Sequence, residues 1–409
     1  MKFKFLLAAL FGFFTLFATA QTDSTAQFSL LTCSPGTEVY ATFGHTALRY
    51  QHPATETDIV FNYGVFRFND NFLFNFVKGE TYYELGVQQF EYFFDEYVYD
   101  QKGVIEQVLN LTPQEVEHLY DFLCENYEPQ NRKYLYNFFY DNCATRVRDI
   151  FAAMFADSLQ WRSMPPTSYT DSLWISDVHN HLETSPQPSF RSLIHKYTSR
   201  NSWLQCGIDL VLGVPADKAI SEFETMFLPD CLFLLSQEAR IVPPADIAKE
   251  RKLVSKTNSL LKAHPLPQTP LLFTPNIFMW LLTAVFIAIA CVEWRTRKHV
   301  YWLDSLLCFT LGILGILTWF LSFISIHPAV FPNIHVLWAS PLHILFAILW
   351  LVPHMRKYLR WYVKVYAIIF AAMCVLFFVP LQYIPCSFVA VFVIMLSRTM
   401  GIVRATLRK

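Results

Sequence analysis

The feature that most restricts how this chain can fold is a change of solvent class at Pro265-Leu-Pro-Gln-Thr-Pro270. Residues before this stretch mix polar and aromatic side chains, and those after it are mostly apolar. Five segments of the second part, Phe273–Val292, Trp302–Ile324, Val336–Val352, Val363–Val379 and Ile384–Leu396, read as helices that cross about 30 Å of hydrocarbon, the last being the shortest. An all-α membrane domain of about five helices is therefore expected over residues 272–409, with a Pro-rich linker at 265–271. Arg295, Arg297 and Lys298 follow the first span, Arg356, Lys357 and Arg360 the third, and Arg398, Arg404, Arg408 and Lys409 the fifth. Basic residues in alternate loops place the C-terminus in the cytoplasm and the large N-terminal part outside.

The N-terminus gives the same address. Lys2 and Lys4 precede an apolar run from Phe5 to Phe17, and Ala18-Thr19-Ala20 ends it with small residues, so residues 1–20 read as a secretory signal peptide. An uncleaved anchor is the alternative. The exported domain is then residues 21–264, and the chain is expected to sit in the inner, cytoplasmic membrane as a multi-pass protein with a large periplasmic domain. Although the whole chain carries a formal charge of −1, residues 21–271 hold roughly −12 of it against a basic membrane part. An acidic exported domain argues against nucleic acid as a partner, since neutralising phosphates needs the opposite sign.

Within the exported domain Glu38–Tyr50, Asp58–Phe66, Gly79–Val87, Tyr92–Tyr99 and Gly103–Leu109 are rich in Val, Tyr, Thr and Phe, which predicts a sheet of about five strands. Thr112-Pro113-Gln114-Glu115 is a capping-box helix start, followed by Val116, Leu119, Tyr120 and Leu123 at helical spacing. A second helix is expected from Cys143, with Val147, Ile150, Phe151, Met154 and Phe155 on one face and Asp141 or Asn142 as its cap. The fold class is α+β.

That helix start carries chemistry. The exported domain has five cysteines, Cys33, Cys124, Cys143, Cys206 and Cys231, so even two disulfides leave one thiol free in an oxidising compartment. Cys143 falls in the first turn, where unpaired N–H groups and the helix dipole favour a thiolate. A small buried cysteine under a helix start is the plainer reading of that residue by itself. A base changes the balance, and His45, behind Gly44 on an expected strand, is the candidate. Asn62 is the first choice to orient the imidazole, with Asp58 and Tyr63 behind it.

These stretches carry a family resemblance. Thr42–Tyr50 (TFGHTALRY), Phe61–Gly64 (FNYG), Phe138–Asp149 (FFYDNCATRVRD), Gly213–Asp217 (GVPAD) and Phe227–Asp230 (FLPD), ahead of spans containing His327–Asn333 (HPAVFPN), resemble the Bacteroides-type lipoprotein N-acyltransferases. The resemblance implies an exported domain of permuted papain-like type, in which the histidine precedes the cysteine as in lecithin:retinol acyltransferase. It implies Cys143 as the acyl-accepting nucleophile and His45 as its base, a membrane phospholipid as acyl donor, a lipoprotein N-terminus as acceptor, and no metal or organic cofactor. A cell-wall endopeptidase or amidase and a non-catalytic membrane sensor are the rival readings.

Arg146, whose guanidinium suits a phosphate, and Asn142 are the expected substrate-binding residues, although an ion pair of Arg146 or Arg148 with Asp149 is an alternative. His179 and His181 have a zinc-compatible spacing but lack neighbouring ligands, so a polar loop is expected there. The many Tyr and Phe residues between Phe61 and Tyr140 fit either a core or a lipid-contacting apron. Asp304 is expected near the cytoplasmic interface, and Asn333 and His335 near a lipid headgroup or an interfacial anchor.

Overall fold

A computed structural model describes residues 26–67, 70–161, 187–243, 247–267 and 270–406. The expected signal peptide and the His179/His181 pair lie outside the described residues. The exported part is built on a seven-stranded antiparallel sheet. Its strands are β1 (Gln27–Cys33), β2 (His45–His52), β3 (Thr57–Val65), β4 (Tyr82–Gln89), β5 (Val104–Leu109), β6 (Lys133–Leu135) and, after three short strands, β10 (Val254–Leu261). The spatial order is β10-β5-β1-β2-β3-β4-β6, and the short strands β7 (Leu159–Gln160), β8 (Arg240–Ile241) and β9 (Arg251–Lys252) pair separately.

Strand β1 lies near the centre of the sheet, and Leu30 and Leu31 are both fully buried because both faces are covered. On one face Leu30, Leu48 and Phe61 meet Leu119 and Leu123 of helix α3 (Pro113–Tyr127) and Val147 and Phe151 of helix α4 (Cys143–Phe155). On the other, Leu31, Ala47 and Val60 meet Phe93 of helix α2 (Phe90–Tyr99). Thr112 caps α3 in the expected reciprocal box, its hydroxyl accepting from Glu115 N–H and its own N–H donating to the Glu115 carboxylate at 2.7 Å.

Several strand expectations need correction. Tyr92–Tyr99 belongs to α2, because Phe93 and Tyr97, four residues apart, pack together at 4.8 Å against the sheet while Tyr92, Asp95 and Tyr99 are exposed. Aromatic content favours strands, but this spacing favours a helix. Gly79 does not open a strand; with φ +85° it ends helix α1 (Phe72–Lys78), and β4 begins at Tyr82. β1, β6 and β10 were not expected, so the sheet has seven strands where five were foreseen.

Helices α5 (Phe190–Thr198), α6 (Ser202–Val211), α7 (Glu222–Thr225) and α8 (Pro229–Glu238) lead from the sheet to the membrane part. There, helices α9 (Pro275–Thr296), α10 (Tyr301–Phe323), α11 (Leu342–Leu351), α12 (Arg360–Leu376) and α13 (Cys386–Thr406) follow one another. Among the described residues four segments are long and apolar enough to cross a membrane: Pro275–Thr296, Tyr301–Phe323, Ile334–Leu351 and Cys386–Arg404. The expected fourth span is the shorter, 17-residue α12, and the segment expected to be shortest is one of the long ones. Asp304 is not a lone interfacial acid: with Glu293 it brackets the buried Arg398 at 2.7 and 2.8 Å, and His299 completes the cluster.

The two parts are joined by a hydrogen-bonded seam. Gly213 N–H donates to Ala329 O at 2.9 Å and Val214 N–H to Pro332 O at 2.8 Å. Asn333 Nδ2 donates to Leu210 O, and Gln382 Nε2 donates both to Leu212 O and to Asn333 Oδ1. From the other side Arg191, itself held by Asp209 and Asp217, donates to Leu212 O. Asn333 and His335 are buried in or beside this seam, so the expected headgroup contact gives way to a structural one. A Cβ on Gly213 would lie 2.3 Å from Pro332 O. Gly213→Ala is accordingly expected to cost about 1–3 kcal/mol, measured as a lowered thermal midpoint of the full-length protein in detergent; an unchanged midpoint would contradict the close seam.

Candidate active site

The start of α4 is built by Asn142. Its extended backbone precedes the helix, and its Oδ1 accepts from the N–H groups of Ala144 at 2.8 Å and Thr145 at 2.9 Å. Thr145 Oγ1 in turn accepts from Asn142 N–H at 2.7 Å. The amide nitrogen donates to Phe138 O and Phe227 O at 2.7 and 2.8 Å, which ties the helix start to the preceding loop and to the turn before α8. Every polar group of the side chain is thus used within the protein. The substrate-binding expectation for Asn142 is corrected to a capping role, which sets Cys143 at the first helical position.

His45 opens β2. Gly44 before it has φ +75°, and a Cβ there would stand 2.6 Å from Cys33 O, so only glycine lets the chain turn into the strand at this point. His45 Nε2–H donates to Asn62 Oδ1 at 2.6 Å, leaving Nδ1 as the nitrogen available to the neighbouring thiol of Cys143. Continuing the Leu48–Phe61 register would set Asn62 opposite Ala47, a diagonal neighbour of His45. Asp58 is taken by Arg49 at 2.8 and 2.6 Å, and Tyr63 donates to Asn126, so of the three orienting candidates only Asn62 reaches the ring. Gly64, at φ +97°, brings β3 close: a Cβ there would lie 3.8 Å from both Cys143 Cβ and His45 Cε1.

The electrostatics draw the thiol and the imidazole each toward its charged form. Burial by itself would raise the Cys143 thiol, but the charge and hydrogen bond of His45, with the N–H groups of Thr46 and Ala144, bring it below the ordinary thiol value. Burial would lower His45, but Cys143, Asn62 and the Glu96 carboxylate raise it above the ordinary imidazole value. Cys33 moves the opposite way to Cys143, pushed up to about 12 by burial. All nine cysteines are free thiols, and Cys143 and His45 both keep part of their surface open. Glu96 escaped the sequence reading because its segment read as a strand.

Arg146 does not lie open for a phosphate. Both Nε and Nη2 engage the Asp141 carboxylate, the latter at 2.7 Å, and the guanidinium stacks 4.1 Å over Tyr134. It is Arg148 that pairs with Asp149, at 2.7 Å. Among the described residues no three His, Cys, Asp or Glu side chains gather to hold a metal ion.

A lowered thiol beside a raised imidazole has a measurable sign. The shifts extend the thiolate of Cys143 to lower pH and the imidazolium of His45 to higher pH than in a free cysteine or histidine. Alkylation of Cys143 by iodoacetamide should therefore persist as pH falls below the ordinary thiol range. In His45→Ala, where burial is left as the main influence, the alkylation midpoint should move upward; an identical pH profile in the two proteins would remove the pair.

Residues 15–174 match the family model of the Lnb N-terminal periplasmic domain, and residues 267–409 match that of the Lnb transmembrane domain. Comparison with curated proteins and with solved structures gives no match. With a sheet-rich domain followed by apolar helices, and with both of the family's domain models matched in that order, the chain is a multi-pass membrane protein with a periplasmic domain and belongs to the Lnb-type lipoprotein N-acyltransferase family.

Proposed function

We propose that this protein transfers an acyl chain from a membrane phospholipid to the free α-amine of a diacylglyceryl-cysteine lipoprotein, through a thioester on Cys143. The observation that carries this reading is the Cys143–His45–Asn62 alignment at a helix start, in a domain seamed to membrane helices. A thiolate held at the bilayer has phospholipid ester carbonyls as its nearest abundant electrophiles. The strand histidine ahead of the helix cysteine also agrees with a permuted papain-like domain. The chain would reside in the inner membrane with its C-terminus in the cytoplasm.

In the first half-reaction the Cys143 thiolate attacks the ester carbonyl, forming the C–S bond. The Cys143 N–H, which has no acceptor among the described residues, is available to the developing oxyanion. The ester C–O bond then breaks, and His45 gives its proton to the lysophospholipid alkoxide. In the second, the lipoprotein amine attacks the thioester carbonyl, the C–N bond forms and the C–S bond breaks. His45 takes the amine proton, which restores the thiolate–imidazolium pair. Asn62 accepts from Nε2–H throughout and keeps Nδ1 turned to sulfur. Excluding water from the thioester is what separates this outcome from hydrolysis.

A cell-wall amidase could use the same dyad but has no use for a polytopic membrane domain bonded to the catalytic one. Without acceptor lipoprotein, the full-length enzyme in phospholipid vesicles should accumulate an acyl-sized mass on the Cys143 peptide, removable by neutral hydroxylamine. A free-amine diacylglyceryl-cysteine peptide should discharge it as an amide, whereas an N-blocked peptide should not. Release of free fatty acid only, with no transfer to any amine, would place the protein among lipases.

A further inference from the structure

The seven residues of α1, Phe-Leu-Phe-Asn-Phe-Val-Lys, sit at an unusual place. The end of the helix is bonded to the chain leaving membrane helix α10: Ile326 N–H and Ser325 Oγ both donate to Lys78 O, at 2.9 and 3.1 Å, and His327 Nε2–H donates to Phe76 O at 2.8 Å. Gly79, which caps α1, has Ile326 and His327 where a Cβ would stand. The Phe74 ring lies 5.9 Å from Phe320, one turn inside the end of α10. Phe74 thus packs beside the last turn of an apolar helix long enough to cross a membrane.

Beside that turn α1 leaves Leu73, Phe74 and Phe76 75%, 59% and 44% exposed. Three large apolar side chains on so short a helix are costly in water and at ease among acyl chains. Behind them runs an aromatic wall. Phe72 stacks on Phe66 at 5.3 Å, Phe66 on Tyr83 at 4.8 Å, and Tyr83 on Tyr136 at 4.1 Å. Phe66 is two residues beyond Gly64, the residue that adjoins Cys143 and His45. Tyr83 and Tyr136 are both raised, first by burial and then by the charge of Cys143, so the inner end of the wall lies within the field of the nucleophile.

We infer that α1 is a lipid-immersed lip through which the donor phospholipid reaches Cys143, one acyl chain lying along Phe72, Phe66, Tyr83 and Tyr136 with its ester carbonyl at the thiol. This rests on the acyl-transfer reading above and deepens it by locating the donor. The donor is favoured over the lipoprotein's own chains because the wall ends at the nucleophile, which reacts with the donor ester. The acceptor brings to the same point a polar amine on a peptide.

The test uses full-length protein in vesicles of phosphatidylethanolamine and phosphatidylglycerol, without acceptor. Leu73→Gln/Phe74→Gln/Phe76→Gln should slow thioester formation on Cys143 at least tenfold, while iodoacetamide alkylation of Cys143 stays within twofold of the parent and so reports an intact site. Undiminished thioester formation would overturn the inference, as would normal formation with slowed discharge to the amine, which would give the lip to the acceptor. A benzoylphenylalanine at position 74 supplies a readout independent of any reaction. Illumination in the same vesicles should yield phospholipid adducts through chain carbons, and their absence would overturn the lip even if the parent enzyme formed no thioester. Adducts together with an unreactive parent would instead keep the lip's place in the bilayer and refute the acyl-transfer reading.

Discussion

Two backbone hydrogen bonds, from Gly213 and Val214 to the loop Ala329–Pro332, set where everything else in the molecule stands. They join a strand-rich domain made for water to helices made for lipid. A seam between two such solvents must satisfy every backbone group it buries. The carbonyls of Leu210, Val211 and Leu212 accept from Asn333, Gln382 and Arg191, so side chains from both parts complete the accounting. Glycine at 213 follows from the closeness of Pro332 O. The seam and the α1 contacts with the loop after α10 attach the periplasmic sheet to the membrane helices at two separate places, which restrains tilt as well as distance.

Given that placement, the chemistry reduces to a contest at one sulfur. Taking a thiol out of water favours its neutral form, as Cys33 shows. At Cys143 the same cost is outweighed by the charge and hydrogen-bonding of His45 and by the N–H groups of Thr46 and Ala144, each fixed by a different local device. Asn142 fixes the helix, Gly44 and the β1–β2 pairing fix His45, and Gly64 admits the third strand. None of these devices is reactive, yet loss of any one would return Cys143 toward the behaviour of a buried structural cysteine. The ionic cluster around Arg398, at the far end of the membrane part, obeys the same rule that a buried charge must be matched, without any reactive group.

Much of this was legible in the residues. Thr112 and Glu115 announce a helix through their own hydrogen bonds, and Asn142 before Cys143 does the same, because caps are local. His45 and Asn62 were readable as partners because short antiparallel strands bring their residues together within a span of 17. The rest depends on contacts between distant segments. β10 is polar and becomes a strand only because β5 offers an edge 150 residues earlier. The α2 segment looked like a strand until Phe93 and Tyr97 are seen against the sheet. For Arg146 the sequence offered a phosphate or Asp149, not its actual partner Asp141, which precedes the helix, and Gly213–Asp217 and His327–Asn333 were readable as motifs but not as two halves of one seam.

The central claim is that acyl chains reach lipoprotein amines through Cys143, and mass spectrometry of mature lipoprotein N-termini tests it most directly. Cells with the intact protein should carry N-acylated diacylglyceryl-cysteine. Cells that lack it, or that hold a correctly inserted Cys143→Ala form, should carry the free α-amine on the same lipoproteins. N-acylated termini persisting with Cys143→Ala as the sole copy would contradict the account, because among the described residues no other exported cysteine has a base and an orienting amide placed to replace it.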